Sequence, residues 1–360
     1  MKIYERIIKF ILSEKGIKKS VLVDEPFKTV CFFSNTAIGD TLFNTPVFRV
    51  FKQNFPNVKV IAILNPSNAD LFKNNPFLDE IVLFNGRWKN FLSVAKILKT
   101  KQIDIAFLLH SNEPQATPLA VLSGAKYIFK LPNLKNDFNK FHSNPPTPYG
   151  EPRYVVLNRL EQLKFVGINS FDTRMELFLQ DISFENVDRV LNRKKGEKIV
   201  GFQMGASVKS KLWLINRWQE LAGLLLKHEN IRIVLTGSPK ERDMTKELEM
   251  LLNSDRVMNL AGKFSISEAA ALIGRLDALI TTDTGPLHVA AALKTPFVAL
   301  FGVTDPRCLM PDFDTHLHRF LKVEFDVDNT YSKHKDYGYL MERITAQEVY
   351  ESLKEIMGAI

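Results

Sequence analysis

Short apolar segments rich in β-branched residues alternate with longer helical patterns along most of the chain, and this alternation strongly restricts its fold. Two series of segments read as buried strands: Val30–Phe33, Val58–Leu64, Ile81–Phe84 and Ile103–Leu109, then Ile199–Gln203, Ile231–Thr236, Ala278–Thr281 and Phe297–Phe301. Helical patterns lie between or after them, near 41–54, 90–100, 115–123, 217–228, 239–253, 265–275 and 286–293. Alternation of this kind predicts parallel sheets with helices on both faces, so two series predict an α/β chain with two Rossmann-like domains facing a cleft.

The two series also set the predicted domain boundaries. We expect an N-terminal amphipathic helical extension over 1–27, a first Rossmann-like domain over 28–175, a second over 176–344, and a closing helix over 345–360. The closing helix is expected to pack back on the N-terminal domain, with Thr345 as its N-cap.

Two segments fall outside the alternation. Residues 1–20 carry six basic and two acidic side chains beside an apolar stripe, so this helix either packs on the body of the protein or lies on an anionic membrane surface. Residues 131–150 are polar and rich in Pro and Asn, which predicts a long loop. Loops of that length inside a compact domain are usually functional or mobile.

Composition excludes several classes of protein. The 360 residues include 48 Lys and Arg against 40 Asp and Glu, and the net charge of +8 fits phosphate-bearing or anionic-membrane partners. The two cysteines, Cys31 and Cys308, are too few for a disulfide framework and indicate a reducing cytoplasm. No apolar run approaches the roughly 20 residues of a membrane span. No Gly-x-Gly-x-x-Gly follows a strand, which disfavours a nicotinamide or flavin enzyme of the Rossmann type. The basic residues lack the aromatic interleaving typical of nucleic-acid binding, which disfavours a nucleic-acid partner.

The segment after the first predicted strand is the first candidate site. In Ser34–Leu42, Gly39 permits a sharp turn, and Asp40 then lies at or just before a helix N-terminus. Asp40 is either a simple N-cap or a general base. A helix N-terminus keeps a carboxylate ionised, so it can accept a hydroxyl proton.

A second candidate site follows the third strand of the second series. Asp283 or Thr284 suits the N-cap of the next helix, and Pro286 suits its first position. The backbone N–H groups of Thr284, Gly285 and Leu287 would then form an anion site.

Two basic side chains near these loops have alternative interpretations. Lys211, which follows the loop after the strand Ile199–Gln203, either neutralises a phosphate or is a solvated lysine beside Trp213. His288 is either a packed imidazole or a catalytic one.

A cluster of Asp and His residues over 312–318 is the candidate for a metal site. Asp312-Phe313-Asp314 resembles the Asp-x-Asp pair with which some nucleotide-sugar enzymes hold a divalent cation, and His316 and His318 follow it. Hard-cation sites need more oxygen ligands in a defined geometry, so we expect no metal there.

Five motifs stand in order along the chain. They are Ile38–Leu42 with Thr45-Pro46 and Phe55-Pro56; Asn75-Pro76 with Asp79; Lys211–Trp213 through Ala222; Asp283–Ala292; and Phe301–Pro306. Together they resemble the ADP-heptose:lipopolysaccharide heptosyltransferase family, which is glycosyltransferase family 9 with the GT-B fold. The resemblance extends from about residue 28 to about residue 308.

The resemblance implies an activity. It implies an inverting, metal-independent enzyme that moves heptose from ADP-heptose to the inner core of lipopolysaccharide or lipooligosaccharide, with Asp40 as general base and without a cofactor. The implied partners are the nucleotide-sugar donor and a lipid-linked anionic oligosaccharide acceptor. The implied location is the cytoplasm, with peripheral contact to the inner membrane as an open alternative.

The resemblance also assigns residues. Gly39 and Thr41 are acceptor-side candidates, and Lys211 matches the family's phosphate-contacting lysine. The remaining residues expected at the nucleotide-sugar site are Ser207, Gly262, Phe264, Asp283, Thr284, Gly285 and His288.

Two departures from the family pattern keep alternatives open. Leu214 stands where the family usually has Pro, and Asn216 where it often has Glu. A GT-B transferase or epimerase that uses another nucleotide sugar is one alternative. A non-catalytic relative that binds a glycolipid or a nucleotide is the other.

Overall fold

The computed structural model describes residues 16–206, 208–324 and 338–358, and the chain divides into two compact units, Met1–Phe178 and Leu179–Ile360. The predicted N-terminal helix falls mainly on residues 1–15, which lie outside the described residues. The described part of the predicted extension is irregular, and backbone hydrogen bonds such as Val23 N–H to Phe165 O hold it on the first unit.

The first unit contains a parallel five-stranded sheet with strand order β3-β2-β1-β4-β5. Its strands are β1 Thr29–Ser34, β2 Lys59–Leu64, β3 Glu80–Leu83, β4 Ile105–His110 and β5 Tyr127–Phe129. Its helices are α1 Ile38–Leu42, α2 Thr45–Asn54, α3 Phe91–Lys99, α4 Ala116–Leu122 and α5 Val155–Leu160. Every residue of β1 is buried, as expected for a central strand covered on both faces.

The second unit contains a parallel six-stranded sheet with strand order β11-β10-β9-β6-β7-β8. Its strands are β6 Lys198–Gln203, β7 Ile231–Thr236, β8 Val257–Asn259, β9 Ala278–Thr282, β10 Phe297–Phe301 and β11 His318–Lys322. Its helices are α6 Asp181–Leu191, α7 Ile215–Leu225, α8 Arg242–Leu252, α9 Ile266–Arg275, α10 Gly285–Leu293, α11 Pro306–Leu309, α12 Gly338–Met341 and α13 Ala346–Met357. The predicted class, two parallel-sheet α/β domains, is confirmed.

Helix α13 closes the core of the second unit. Thr345 is its N-cap, as predicted, and forms a capping box with Glu348. Its buried residues Ala346, Val349 and Leu353 share one core with the central strands of the second sheet. The packing described for this helix lies within its own unit, and its predicted packing on the N-terminal domain stays a prediction. Its apolar spacing is equally suited to either surface, so sequence alone does not choose between them.

The strands that sequence analysis missed all lie at sheet edges. β5 and β8 have three residues each, too few to show a pattern, and β11 has basic side chains at three of its five positions, so it lacks the apolar run of a buried strand. Helices α5 and α6 were also missed. Among the described helices, none combines the length and apolarity needed to cross a membrane.

Candidate active site

Asp40 lies at the carboxyl edge of the first sheet. β1 ends at Ser34, whose register partner on the neighbouring parallel strand β4 is His110. The loops that follow these two strand ends therefore start side by side. This edge is where open α/β sheets bind ligands.

The structure places Asp40 inside α1, within its first turn, and not at the cap. The N-cap is Ala37, so the simple N-cap interpretation of Asp40 is wrong. The Thr36 hydroxyl donates to Asp40 Oδ2 over 3.2 Å, and the Asp40 side chain remains 29% exposed. A carboxylate held this way is oriented and accessible, as a general base must be.

Two further side chains reach the same edge. His110 Nδ1 lies 2.6 Å from Thr36 Oγ1 and 3.5 Å from Asp40 Oδ2. Burial and the Arg159 charge lower the pKa of His110 to about 4, against the opposing effect of Asp40. Burial also lowers the pKa of Arg159 to about 10, so at neutral pH His110 is neutral while Arg159 remains a cation.

Gly39 and Thr41 shape the turn that carries Asp40. Both are buried. The Thr41 hydroxyl lies 3.2 Å from both Ser34 O and Ala37 O, so its one hydrogen is used within the turn. Neither residue presents a side chain to solvent, and their acceptor-side role stays a prediction.

The predicted loop over 131–150 contains no helix or strand beyond a short 3-10 turn, Asn139–Phe141. Buried His142 anchors it, with its ring nitrogens 3.0 Å from Thr117 Oγ1 and 3.2 Å from Asn133 Nδ2. Burial lowers the pKa of His142 to about 3, which keeps this anchor uncharged.

The same loop lines an open cavity of about 420 Å³ within the first unit. Its lining includes Glu113, Lys130, Lys135 and Tyr149. Lys130 Nζ lies 3.6 Å from the Glu113 carboxylate, and burial lowers the pKa of Lys130. The loop thus builds a polar cavity with opposite charges in its wall.

The second unit brings Lys211 and Asp283 together. Lys211 ends a 3-10 turn, Lys209–Lys211, that follows β6, and Asp283 follows β9, which pairs with β6. Lys211 Nζ donates to Asp283 Oδ2 over 2.5 Å and to Asp283 O over 3.0 Å. Asp283 is nearly buried, and an anion at this place repels a diphosphate. The Asp283 carboxylate holds the Lys211 ammonium group, and the predicted role of Asp283 at the nucleotide-sugar site stays a prediction.

Helix α10 begins at Gly285, next to this ion pair. Thr284 is the N-cap residue, and its hydroxyl lies 3.3 Å from Thr282 O. The Leu287 N–H already donates to Thr284 O, so the predicted anion site loses one of its three donors. His288 is buried in the first turns of α10, which fits the packed-imidazole interpretation.

A second loop at the carboxyl edge of this sheet precedes α9. Gly262 has a φ of +66°, and its carbonyl accepts from Arg242 Nη2 over 2.5 Å. Phe264 is half-buried, and Ser265 caps α9 in a capping box with Glu268. Ser207 lies outside the described residues, so its predicted role stays a prediction.

We expect Gly262→Ala to lower the free energy of unfolding by about 2 kcal/mol. The conformation at φ +66° disfavours any side chain, and a Cβ there would lie 2.8 Å from Pro239 Cα. Gly223→Ala is the matched control, because it lies on the exposed face of α7 and its Cβ would meet nothing within 4 Å. We expect that variant to gain about 0.5–1 kcal/mol. Urea denaturation measures both changes, and equal stability of the two variants would show that the loop relaxes freely.

No metal cluster emerges around Asp312 and Asp314. Within 16–206, 208–324 and 338–358, no group of three or more His, Cys, Asp or Glu side chains is placed to hold an ion. His318 Nε2 instead lies 3.1 Å from Phe313 O, which fixes the turn before β11.

Sequence reasoning missed the side chains that support Asp40. Thr36 was part of the quoted motif, while His110 and Arg159 come from distant segments. The available signal was the position of His110, a polar residue at the carboxyl end of a buried strand. Glu241 was also missed. Its carboxylate accepts from the Ser238 N–H and would overlap a Cβ at Gly205, so Gly205 leaves room for it.

Comparison with known proteins connects this geometry to a family. Residues 157–316 match the family model described as glycosyltransferase family 9 (heptosyltransferase). The chain is 33% identical to lipopolysaccharide heptosyltransferase 2 of Salmonella typhimurium over 360 aligned positions, which cover 89% of this chain and 96% of that protein.

Solved structures show the same fold. A family 9 glycosyl transferase from Veillonella parvula superposes with a TM-score of 0.82 at 19% identity, covering 93% of this chain and 99% of its own. The ADP-heptose lps heptosyltransferase II of E. coli gives 0.78 at 21% identity, covering 92% and 98%. The predicted GT-B class is confirmed. The chain belongs to glycosyltransferase family 9, the heptosyltransferases.

Proposed function

We propose that this enzyme transfers heptose from ADP-heptose to the inner core of lipopolysaccharide or lipooligosaccharide, with inversion at the anomeric carbon and without a metal. The proposal is supported by the names of its relatives and by the two clusters described above. The single observation that carries it is the partly exposed Asp40 carboxylate, held by Thr36 at the carboxyl end of β1.

Asp40 acts as the general base. An acceptor hydroxyl gives its proton to the carboxylate, and its oxygen attacks the anomeric carbon from the face opposite the leaving group. The bond from that carbon to the diphosphate oxygen breaks, and the diphosphate leaves with the electron pair. Attack from the opposite face inverts the configuration.

Lys211 balances the charge of the leaving diphosphate. Asp283 fixes the ammonium group beside the start of α10, whose N-terminus carries a partial positive charge. A fixed cation and a helix N-terminus stabilise developing negative charge, which is the work a divalent cation does in other transferases. Metal independence follows from this division of roles.

The acceptor is a lipid-linked anionic oligosaccharide. The net charge of +8 favours approach of an acidic acceptor and of a nucleoside diphosphate. Peripheral contact with the cytoplasmic face of the inner membrane fits the same charge and belongs to this proposal.

A nucleotide panel tests the donor assignment. We expect ADP to raise the thermal midpoint of the full chain more than UDP, GDP or CDP, because a ligand that binds only the native state stabilises it. At a hundredfold excess over its Kd the gain is about 2.7 kcal/mol. The same shift is expected in EDTA. Stabilisation by UDP but not by ADP would overturn the ADP-heptose assignment, and loss of the ADP shift in EDTA would overturn metal independence.

A further inference from the structure

A hydroxyl and an imidazole support Asp40 from two neighbouring strand ends. Thr36 Oγ1 lies 3.2 Å from Asp40 Oδ2 and 2.6 Å from His110 Nδ1. The Nδ1–Oδ2 distance is 3.5 Å, so Thr36 is the bridge between the other two groups. The cluster belongs entirely to the first unit.

The number of hydrogens in the cluster fixes the direction of each bond. An ionised carboxylate only accepts, and a hydroxyl has one hydrogen to donate. If Thr36 donates to Asp40, its oxygen presents a lone pair to His110, which must then carry its hydrogen on Nδ1. In the other tautomer, which carries its hydrogen on Nε2, Nδ1 would accept the Thr36 hydrogen. Only lone pairs of the Thr36 oxygen would then face the Asp40 carboxylate. The Nδ1–H form gives Nδ1, the Thr36 hydroxyl and Asp40 Oδ2 a donor and an acceptor in each contact.

We propose that His110 is a positioning residue for heptosyl transfer: as the Nδ1–H tautomer it donates to Thr36, whose hydroxyl then orients the Asp40 carboxylate. The inference rests on the proposed role of Asp40 as base. The only proton that moves in the reaction is the acceptor's, which passes to Asp40. The hydrogens on His110 and Thr36 stay where they are.

The charged groups around His110 favour this arrangement. Arg159 on α5 and Lys130 after β5 oppose a second proton on the imidazole, while Asp40 on α1 favours one. The cations and burial prevail, so His110 is neutral at neutral pH. Because protonation would add hydrogen at Nε2 and keep that on Nδ1, mild acid does not break the relay.

The tautomer can be measured without assaying activity. The full chain contains seven histidines, so the resonances of ¹⁵N-histidine-labelled protein are assigned by comparison with His110→Gln. We expect His110 to be the Nδ1–H tautomer at pH 7 and to titrate well below 6.5, the usual pKa of histidine. An Nε2–H tautomer at pH 7 would overturn the inference.

Kinetics test the positioning role. Thr36→Val removes the bridging hydroxyl at nearly constant volume, and His110→Ala removes the donor behind it. We expect each to lower kcat about tenfold while the KM for the donor changes little. In the Thr36→Val background, His110→Ala should have almost no further effect, because the relay is already broken. His110→Asn keeps an N–H donor and should recover most of the rate.

Asp40→Asn distinguishes a failure of the positioning role of His110 from a failure of the base role of Asp40. An inactive Asp40→Asn together with wild-type kcat in both Thr36→Val and His110→Ala overturns the positioning role alone. Full activity in Asp40→Asn overturns the base assignment, and the positioning role with it. Thermal midpoints near the wild-type value show that lost turnover is not lost folding.

Discussion

Asp40→Asn is expected to lower turnover by about 10²–10⁴-fold while ADP binding stays close to that of the unchanged enzyme. Asparagine has the same shape and can still accept from Thr36 through its amide oxygen, but it cannot take a proton from a hydroxyl. The change lies in the first unit, whereas Lys211 and the start of α10 lie in the second. ADP release measures turnover, and calorimetric titration with ADP measures binding.

Asp70→Asn is the matched control for this prediction. Asp70 lies in the same unit, 58% exposed, and pairs with Lys73 on the surface. Exposed pairs of this kind contribute little to stability, so we expect normal turnover. If Asp40→Asn works within about threefold of the unchanged enzyme, Asp40 is not the base.

Lys211→Ala is expected to weaken ADP binding by roughly 10- to 100-fold, since a hydrogen bond to a charged group contributes about 1.5–3 kcal/mol. It also leaves the Asp283 carboxylate, 5% exposed, without its cation, so some loss of stability accompanies the loss of affinity. Lys211→Met keeps the aliphatic stem and separates the charge from the packing. Calorimetry gives the affinities, and the acceptor KM should change less than the donor KM.

Lys209→Ala is the control, because Lys209 is an exposed lysine on the same 3-10 turn. The charge lost is the same, so any difference between the variants reports the position of the ammonium group and not net charge. Equal ADP affinity in Lys209→Ala and Lys211→Ala would contradict the assigned role of Lys211.

The central strands and the loops after them were predictable because their signals are local. β10 is a continuous apolar run and β1 has one at its centre, Val30–Phe33, and a strand covered on both faces requires that composition. A few adjacent residues also predict the turn around Gly39 and Asp40 and the start of α10 at Gly285.

The partners of these residues were not predictable, because they depend on which strands become neighbours. Lys211 and Asp283 were both named from the sequence, but 72 positions separate them, and only the pairing of β6 with β9 brings them into contact. Thr36 and His110 lie 74 positions apart and meet because β1 pairs with β4. The sequence placed Asp283 and Lys211 at the same site but did not show that the carboxylate of one pairs with the ammonium group of the other.

The most direct measurement is mass spectrometry of a heptose-deficient inner-core acceptor after incubation with ADP-heptose and the enzyme in EDTA. We expect the acceptor to gain the mass of one heptose residue with the unchanged enzyme and with Asp70→Asn, and to gain it at least about 10²-fold more slowly with Asp40→Asn. Transfer that requires an added divalent cation, or that proceeds at full rate in Asp40→Asn, would contradict the account.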